Sequence, residues 1–374
     1  MNINRRTFIN RTLFGLGALA AFSPTGVIKG LTLSRSAQAQ TREKGDAYRR
    51  IATEEAFAIP EMMEILGGYC NSNWDNLDLD LMRRLVNPEA EIYKELINLG
   101  EERIKNMDEN GLDMQVVSLT APGVQMFDAE TANAIATLAN DRLAEAIKRH
   151  PTRFAGLAAF GPLDPKGAAK EMERAINKLN LNGFIINSHT HNEYMDDPKF
   201  WPILEAAEAL DRPIYLHPRS PSELISKPYS DYGLSHALWG FQAEAGLHAM
   251  RLMLSGVFDR FPNLKIVLGH MGESIPYNIW RCDYMYNNSG APAKTKPSEV
   301  FKRNFVITTS GVNHAPVLKY CIEVLGADNI MFAVDYPYQS SGAAVEFMNE
   351  VNISREDKEK IYHRNAERVF HIAS

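Results

Sequence analysis

From about residue 50 onward, short apolar runs alternate with longer amphipathic stretches. The runs are 50–53, 114–119, 154–160, 183–188, 213–218, 265–270, 304–310 and 330–337. Several are near-continuous in Val, Ile and Leu, as expected of parallel strands buried on both faces. Between them, apolar residues recur at helical spacing over 131–150, 165–180, 198–211, 248–260 and 315–325. Ser354, with Asp357 three residues on, opens a final helix that reaches residue 370. Eight strand–helix units predict a (β/α)8 TIM barrel, a fold that takes about 250 residues before insertions. The competitor, an open doubly wound sheet, would want a glycine-rich phosphate turn after its first strand. There the chain reads TEEAFAIP, without a glycine. The extra length falls at 67–100 and 219–246, after strands on the face where barrel sites form, so both are candidate lid and interface segments.

Composition narrows the function. The chain has 374 residues, 45% of them apolar and 23% charged, with a net charge of −6. The acidic balance argues against nucleic-acid binding, which wants a basic face. Cys70, Cys282 and Cys321 are too few and too scattered for a zinc ribbon or a disulfide framework, and buried free thiols are expected. The first residues differ in kind. Arg5-Arg6 precede Thr7 and Phe8, a weakly apolar segment runs over 13–22, and Ala37-Gln38-Ala39 offers a small-x-small cleavage pattern. Together they predict a twin-arginine export signal over 1–39, a barrel domain over 40–374, and a periplasmic location. That route carries folded proteins, often with a cofactor loaded, which favours a metal. Nothing later reads as transmembrane, so no stable membrane association is expected after cleavage.

In a barrel, chemistry collects at the carboxyl ends of the strands. Reading those positions gives Glu54 and Glu55, then Asn187, His189 and His191, then His217, His270 and Asp335. Ionisable groups on apolar strands are costly unless paired or ligated. Glu54, His217 and Asp335 offer two carboxylates and one imidazole, a set that suits one Zn, Mn or Mg ion with positions left for substrate. Taken singly, a strand-end histidine is more often a hydrogen-bonded structural residue, and Asp335 in DYP can be a turn former. Glu55 points to the opposite side by strand alternation and is expected in a structural salt bridge. His270 and Glu273, three apart, are expected to share one face at a helix start as a proton relay. Arg281 could hold an anion by a forked contact, with a surface ion pair as the alternative. His189 and His191 suit a second metal site less well than two solvated loop histidines. Asn187 is expected to hydrogen-bond substrate. An aromatic acid would need a flat apolar slot, for which Tyr336, Tyr338, Trp239 and Phe241 are candidates.

The segments TEEAFAIP, R-x-K-x-M-D-x-x-G at 103–111, FWPILEAAEAL, YLHPR, GVFDRFPNLKIVLGHMGE, ITTSG and VDYP resemble the amidohydrolase-2 group of the amidohydrolase superfamily. More closely they resemble its non-oxidative decarboxylases of 2,3-dihydroxybenzoate, γ-resorcylate and related acids. The resemblance spans about residues 50–372 and implies a distorted barrel with one divalent ion held by Glu54, His217 and Asp335. Many members read E-x-H on the first strand, where this chain has Ala56. Fewer nitrogen donors move the expectation from zinc toward magnesium or manganese. The implied reaction has Asp335 deliver a proton to the ring carbon bearing the carboxylate. His270 and Glu273 tune the proton inventory and Arg281 supports them, with Asn187 and Tyr338 on the substrate. The alternative is a hydrolase of a lactone, ester or amide with Asp335 as base; a third reading is a binding protein inactivated at Ala56. The resemblance also implies a homodimer or homotetramer acting on a small molecule, with 67–100 a candidate contact.

Overall fold

The computed structural model describes residues 48–72 and 76–373. The expected export segment 1–39 lies outside them. Eight strands form one parallel sheet in chain order: β1 Ile51–Phe57, β2 Met114–Leu119, β3 Phe154–Ala158, β4 Gly183–Asn187, β5 Ile214–His217, β6 Ile266–Leu268, β7 Phe305–Thr308 and β8 Ile330–Met331. The sheet curls into a (β/α)8 barrel. β1 and the chain after β8 meet through three bonds, in which Thr53, Asp335 and Ala56 amides donate to the carbonyls of Phe332, Glu54 and Tyr336 at 3.1, 3.0 and 2.7 Å. Nearly every strand residue is buried, which is why the runs read as continuous apolar sequence.

Side chains cap some of the helices. Asp128 caps Ala129–Arg149 by accepting from the Thr131 amide, and Ser354 accepts from the Asp357 amide. Helices Pro165–Asn177, Trp201–Ala209, Ala315–Leu325 and Ser341–Glu350 follow their strands. The stretch expected to be helical over 248–260 is two helices, Gly240–Leu254 and Val257–Arg260, parted by Gly256 at φ 86°. The expected final helix is interrupted by a π turn over Lys360–Arg364, where the Ile361 carbonyl accepts from the Phe332 amide. The 67–100 segment carries helices Leu79–Leu85 and Glu91–Ile97. The three cysteines are free, but only Cys321 is buried. No described helix is long and apolar enough to cross a membrane.

Strand ends depart from the expected positions. β1 continues to Phe57, so Glu54 and Glu55 lie within the strand rather than at its end. β6 stops at Leu268, just before the chain turns left-handed at His270 (φ 50°). β8 stops at Met331, after which the Phe332 and Ala333 amides donate to the Ile361 carbonyl and to Thr309 Oγ1, with Asp335 left-handed farther on (φ 75°).

Candidate active site

Glu54 is buried, and three hydroxyl groups converge on its Oε2. Thr308 Oγ1 donates at 3.0 Å, joined by Tyr215 OH and Ser310 Oγ. Oε1 has no hydrogen-bond partner although it too is buried. It faces His217 Nε2 at 3.5 Å and His270 Nε2 at 3.6 Å. Beside this carboxylate stands Gly269, where a Cβ would lie 2.9 and 3.0 Å from the two Glu54 oxygens. Burial works against the charge on Glu54, but His270 and His217 with the Ser310 and Tyr215 hydroxyls hold its pKa below the ordinary carboxylate value.

His217 ends β5. Its Nδ1 lies 2.8 Å from the Pro218 carbonyl oxygen, which can only accept, so Nδ1 carries the proton and Nε2 presents a lone pair. Asp335 contributes the third group. Ligand atoms of Glu54, His217 and Asp335 all lie within 4.8 Å of one another. An orphaned carboxylate oxygen, an unprotonated imidazole nitrogen and a second carboxylate suit a divalent ion with mixed N/O ligands. The chain therefore fits the ion that its donor set implies.

His270 Nε2 stands 3.8 Å from Asp335 Oδ2, and its Nδ1 donates to Glu273 Oε1 at 2.8 Å. Burial would lower the imidazole pKa, but Glu54, Glu273 and Asp335 outweigh it and raise it well above the usual value. For Asp335, burial pushes the carboxyl up, partly opposed by His270. The His270–Glu273 pair is not made on a helix start, as the spacing suggested. His270, Met271, Gly272, Glu273 and Ser274 are five successive left-handed residues, with φ of 50°, 56°, 78°, 49° and 66°. Each non-glycine residue there costs about 1–2 kcal/mol, so surrounding contacts must fix the turn. The His270 amide donates to Ser310 Oγ at 3.0 Å and the Met271 amide to the Thr308 carbonyl at 2.8 Å. The tight turn curls Glu273 back onto His270, and helix Ile275–Tyr286 begins only afterward.

Of the other expected residues, Tyr338 shares a 2.5 Å hydrogen bond with Thr120 Oγ1, and burial raises its pKa. Asn187 is buried, donates to Gln125 Oε1 at 3.3 Å and leaves its own Oδ1 without a partner. Arg281 is exposed on helix Ile275–Tyr286, and among the described residues nothing joins it to the cluster. The helix turns it outward, and among the described residues none makes a forked contact with it. Trp239 is also exposed. Glu55 is completely buried, and no ion pair holds it among the described residues. Instead its carboxylate accepts from the amides of Val334 and Tyr336, while burial raises its pKa to about 8.

His189 and His191 do not form a solvated pair. His191 is exposed and contacts the Phe127 carbonyl oxygen, whereas His189 is buried beside the Ser220 carbonyl oxygen. His189 adjoins a polar network that fastens the loops around the barrel mouth. Arg219 Nε donates to Asp78 Oδ2 at 3.0 Å, and the Ser222 amide donates to Glu244 Oε2 at 3.1 Å. Ser188 Oγ donates to Glu244 Oε1 at 3.0 Å and lies 3.3 Å from His248 Nδ1, while His248 Nε2 accepts from the Met195 amide. Sequence reasoning missed Tyr215, Thr308, Ser310 and Gly269. Strand alternation was the available signal, because Tyr215 is two residues from His217 and shares its side of β5.

The chain matches the family model described as Amidohydrolase over residues 94–372. It is 48% identical to the 5-carboxyvanillate decarboxylase structure from Sphingomonas paucimobilis, with a TM-score of 0.85 over 87% of this chain and 100% of that one. A 5-carboxyvanillate decarboxylase from Novosphingobium aromaticivorans, complexed with manganese and 4-hydroxy-3-methoxy-5-nitrobenzoic acid, is 37% identical with a TM-score of 0.86, covering 90% and 100%. The γ-resorcylate decarboxylase of Polaromonas sp. strain JS666 is 37% identical over 336 residues, covering 86% of this chain and 98% of its own. With its family model running through most of the barrel and relatives matched along almost their whole length, this chain belongs to the amidohydrolase family.

Proposed function

We propose that this chain is a metal-dependent, non-oxidative decarboxylase of a hydroxylated aromatic acid. The carrying observation is the convergence of Glu54, His217 and Asp335 on one point, with His270 beside Asp335. The relatives support the class: those just described are carboxyvanillate and γ-resorcylate decarboxylases. Their shared substrate chemistry is a benzoate with a hydroxyl next to the carboxylate. Glu54, His217 and Asp335 would hold one divalent ion, for which manganese is favoured by the donor set and by the manganese-bound relative. When bound, the ion supplies a Lewis acid that steadies negative charge on the substrate oxygens.

The chain's own residues then handle one proton. Asp335, whose carboxyl is raised by burial, holds it and delivers it to the ring carbon that bears the carboxylate. A C–H bond forms and the ring loses aromaticity. The C–C bond then breaks, its electron pair restores the ring, and carbon dioxide leaves. His270, kept protonated by Glu273, stands next to Asp335 Oδ2 and resupplies the proton. Hydroxyls from Tyr215, Thr308 and Ser310 keep Glu54 fixed and charged throughout.

The test is manganese-loaded protein incubated with 5-carboxyvanillate, 2,6-dihydroxybenzoate and 2,3-dihydroxybenzoate, following loss of substrate absorbance and release of carbon dioxide. Turnover of at least one acid is expected. No turnover of any, together with hydrolysis of a lactone, overturns the reading in favour of a hydrolase. Arg5-Arg6 and the apolar segment behind them support export by the twin-arginine route, and retention in the cytoplasm after Arg5→Lys with Arg6→Lys is expected. Tyr277, Trp280 and Tyr284, exposed on helix Ile275–Tyr286, support self-association into a dimer or tetramer, which light scattering measures.

A further inference from the structure

We propose that Glu55 is a positioning residue for Asp335, holding that side chain in place by binding the backbone on both sides of it. The inference rests on the reading of Glu54, His217 and Asp335 as a metal centre.

β8 ends at Met331, four residues before Asp335, so no regular ladder extends to position 335. Asp335 itself sits at φ 75°, where an L residue stays only if its surroundings fix it. The fixing groups come from β1. The Val334 amide donates to Glu55 Oε1 at 3.0 Å, and the Tyr336 amide donates to Glu55 Oε2 at 3.3 Å. Between them the Asp335 amide donates to the Glu54 carbonyl at 3.0 Å. Three successive amides are therefore bound to two adjacent residues, and the two outer ones share one carboxylate. Gln115 Nε2, from β2, reaches Glu55 Oε2 at 3.4 Å and steadies it in turn. A side chain that accepts from both flanking amides sets the direction in which Asp335 leaves the backbone. That direction decides how its carboxylate stands to Glu54, His217 and His270. Glu55 is buried and touches none of those three side chains in any described hydrogen bond or ion pair, so its effect passes through the backbone.

The test compares two changes in the same seam. In Glu55→Gln, one oxygen becomes an NH2 group that cannot accept, so at most one of the two flanking amides keeps its partner. In Thr53→Val, the hydroxyl that donates to the Phe332 carbonyl at 2.9 Å is lost, away from the Asp335 amides. Manganese affinity is read from the electron paramagnetic resonance of the free ion, alongside thermal melting and kcat and KM on the best acid of the panel. Glu55→Gln is expected to weaken manganese binding and lower kcat by about 10- to 100-fold each, with KM little changed. Thr53→Val is expected to melt earlier yet bind manganese as wild type does. Wild-type manganese affinity in Glu55→Gln overturns the inference, as does a loss in both variants that merely follows their melting temperatures. If Glu55→Gln does not fold, Glu55→Asp, whose shorter arm reaches one amide at a time, is read in the same way. Tight manganese binding by a wild type that turns over no acid would count against the decarboxylase and leave this comparison intact.

Discussion

The backbone amide of Asp335 donates to the carbonyl oxygen of Glu54 at 3.0 Å, joining the two acids of the candidate metal centre at the seam where the barrel closes. Site and seam are thus one structure. Glu54 lies inside β1, and Asp335 lies on an irregular stretch after β8 whose 334–336 amides are bound by Glu54 and Glu55 of β1. The ligand spacing is then set by backbone hydrogen bonds as much as by side chains. The hydroxyls on Glu54 Oε2 and the proton fixed on His217 Nδ1 complete the preparation, leaving Oε1 and Nε2 free to ligate.

Gly269 should be intolerant of a side chain for this reason. A Cβ there would press on both Glu54 oxygens at 2.9 and 3.0 Å, and buried Glu54 has little room to move. Gly269→Ala is expected to weaken manganese binding by about 10- to 100-fold and to destabilise the fold by about 1–3 kcal/mol. A manganese titration and a denaturation curve check both, and wild-type affinity would show that Glu54 can yield.

Asp335→Asn is the sharpest test of the proton donor. The amide keeps an oxygen near the ligand position but holds no transferable proton. The kcat should fall by about 10²- to 10⁴-fold, the scale of a general acid, while near-ultraviolet circular dichroism stays unchanged. Activity near that of wild type would remove Asp335 from the role.

Much of this arrangement was legible in the chain, for identifiable reasons. Parallel strands buried on both faces show as apolar runs, and the run at 114–119 coincides with β2. Glu54, His217 and Asp335 stood out as ionisable groups on such runs, and the structure brings them together. The hidden parts depend on partners far along the chain. The sequence places Glu54 and Glu55 at the end of β1, because nothing local shows that Tyr215, Thr308 and Ser310 satisfy Glu54 or that the 334–336 backbone satisfies Glu55. The left-handed turn at 270–274 was illegible because only Gly272 within it favours that conformation. The helix expected to start at His270 begins only at Ile275, and its exposed Tyr277, Trp280 and Tyr284 break the inward apolar stripe that would mark its bounds.

The Asp78–Arg219 pair should behave as a buried ion pair. Both residues are almost fully buried, and Asp78 also accepts from the Ser220 amide at 3.2 Å. Arg219→Met alone strands a buried carboxylate and is expected to cost about 3–5 kcal/mol. Asp78→Leu combined with Arg219→Met should recover a large part of that loss, since no lone charge remains. A double-mutant cycle by urea denaturation measures the coupling, and purely additive losses would contradict it.

Acid sensitivity should come from the neutral histidines of the same network. Burial holds the pKa of His248 down to about 3 and, with Arg219 adding to it, that of His189 to about 2, against 6.5 for an ordinary histidine. Below pH 6.5 the unfolded chain binds a proton on each, while the folded chain stays unprotonated until far lower pH. Stability therefore falls as pH drops through this window, by about 1.4 kcal/mol per pH unit for each histidine. Glu244, whose carboxyl is raised by burial, titrates with the opposite sign, so the decisive measurement is a difference between two proteins. Glutamine can keep both His248 contacts, donating to Ser188 and accepting from the Met195 amide, without titrating. His248→Gln should thus flatten the pH dependence of urea-unfolding stability between pH 6.5 and pH 4.5 by about 1.4 kcal/mol per unit. An unchanged slope would mean that His248 is protonated in the fold, which its hydrogen bond from the Met195 amide opposes.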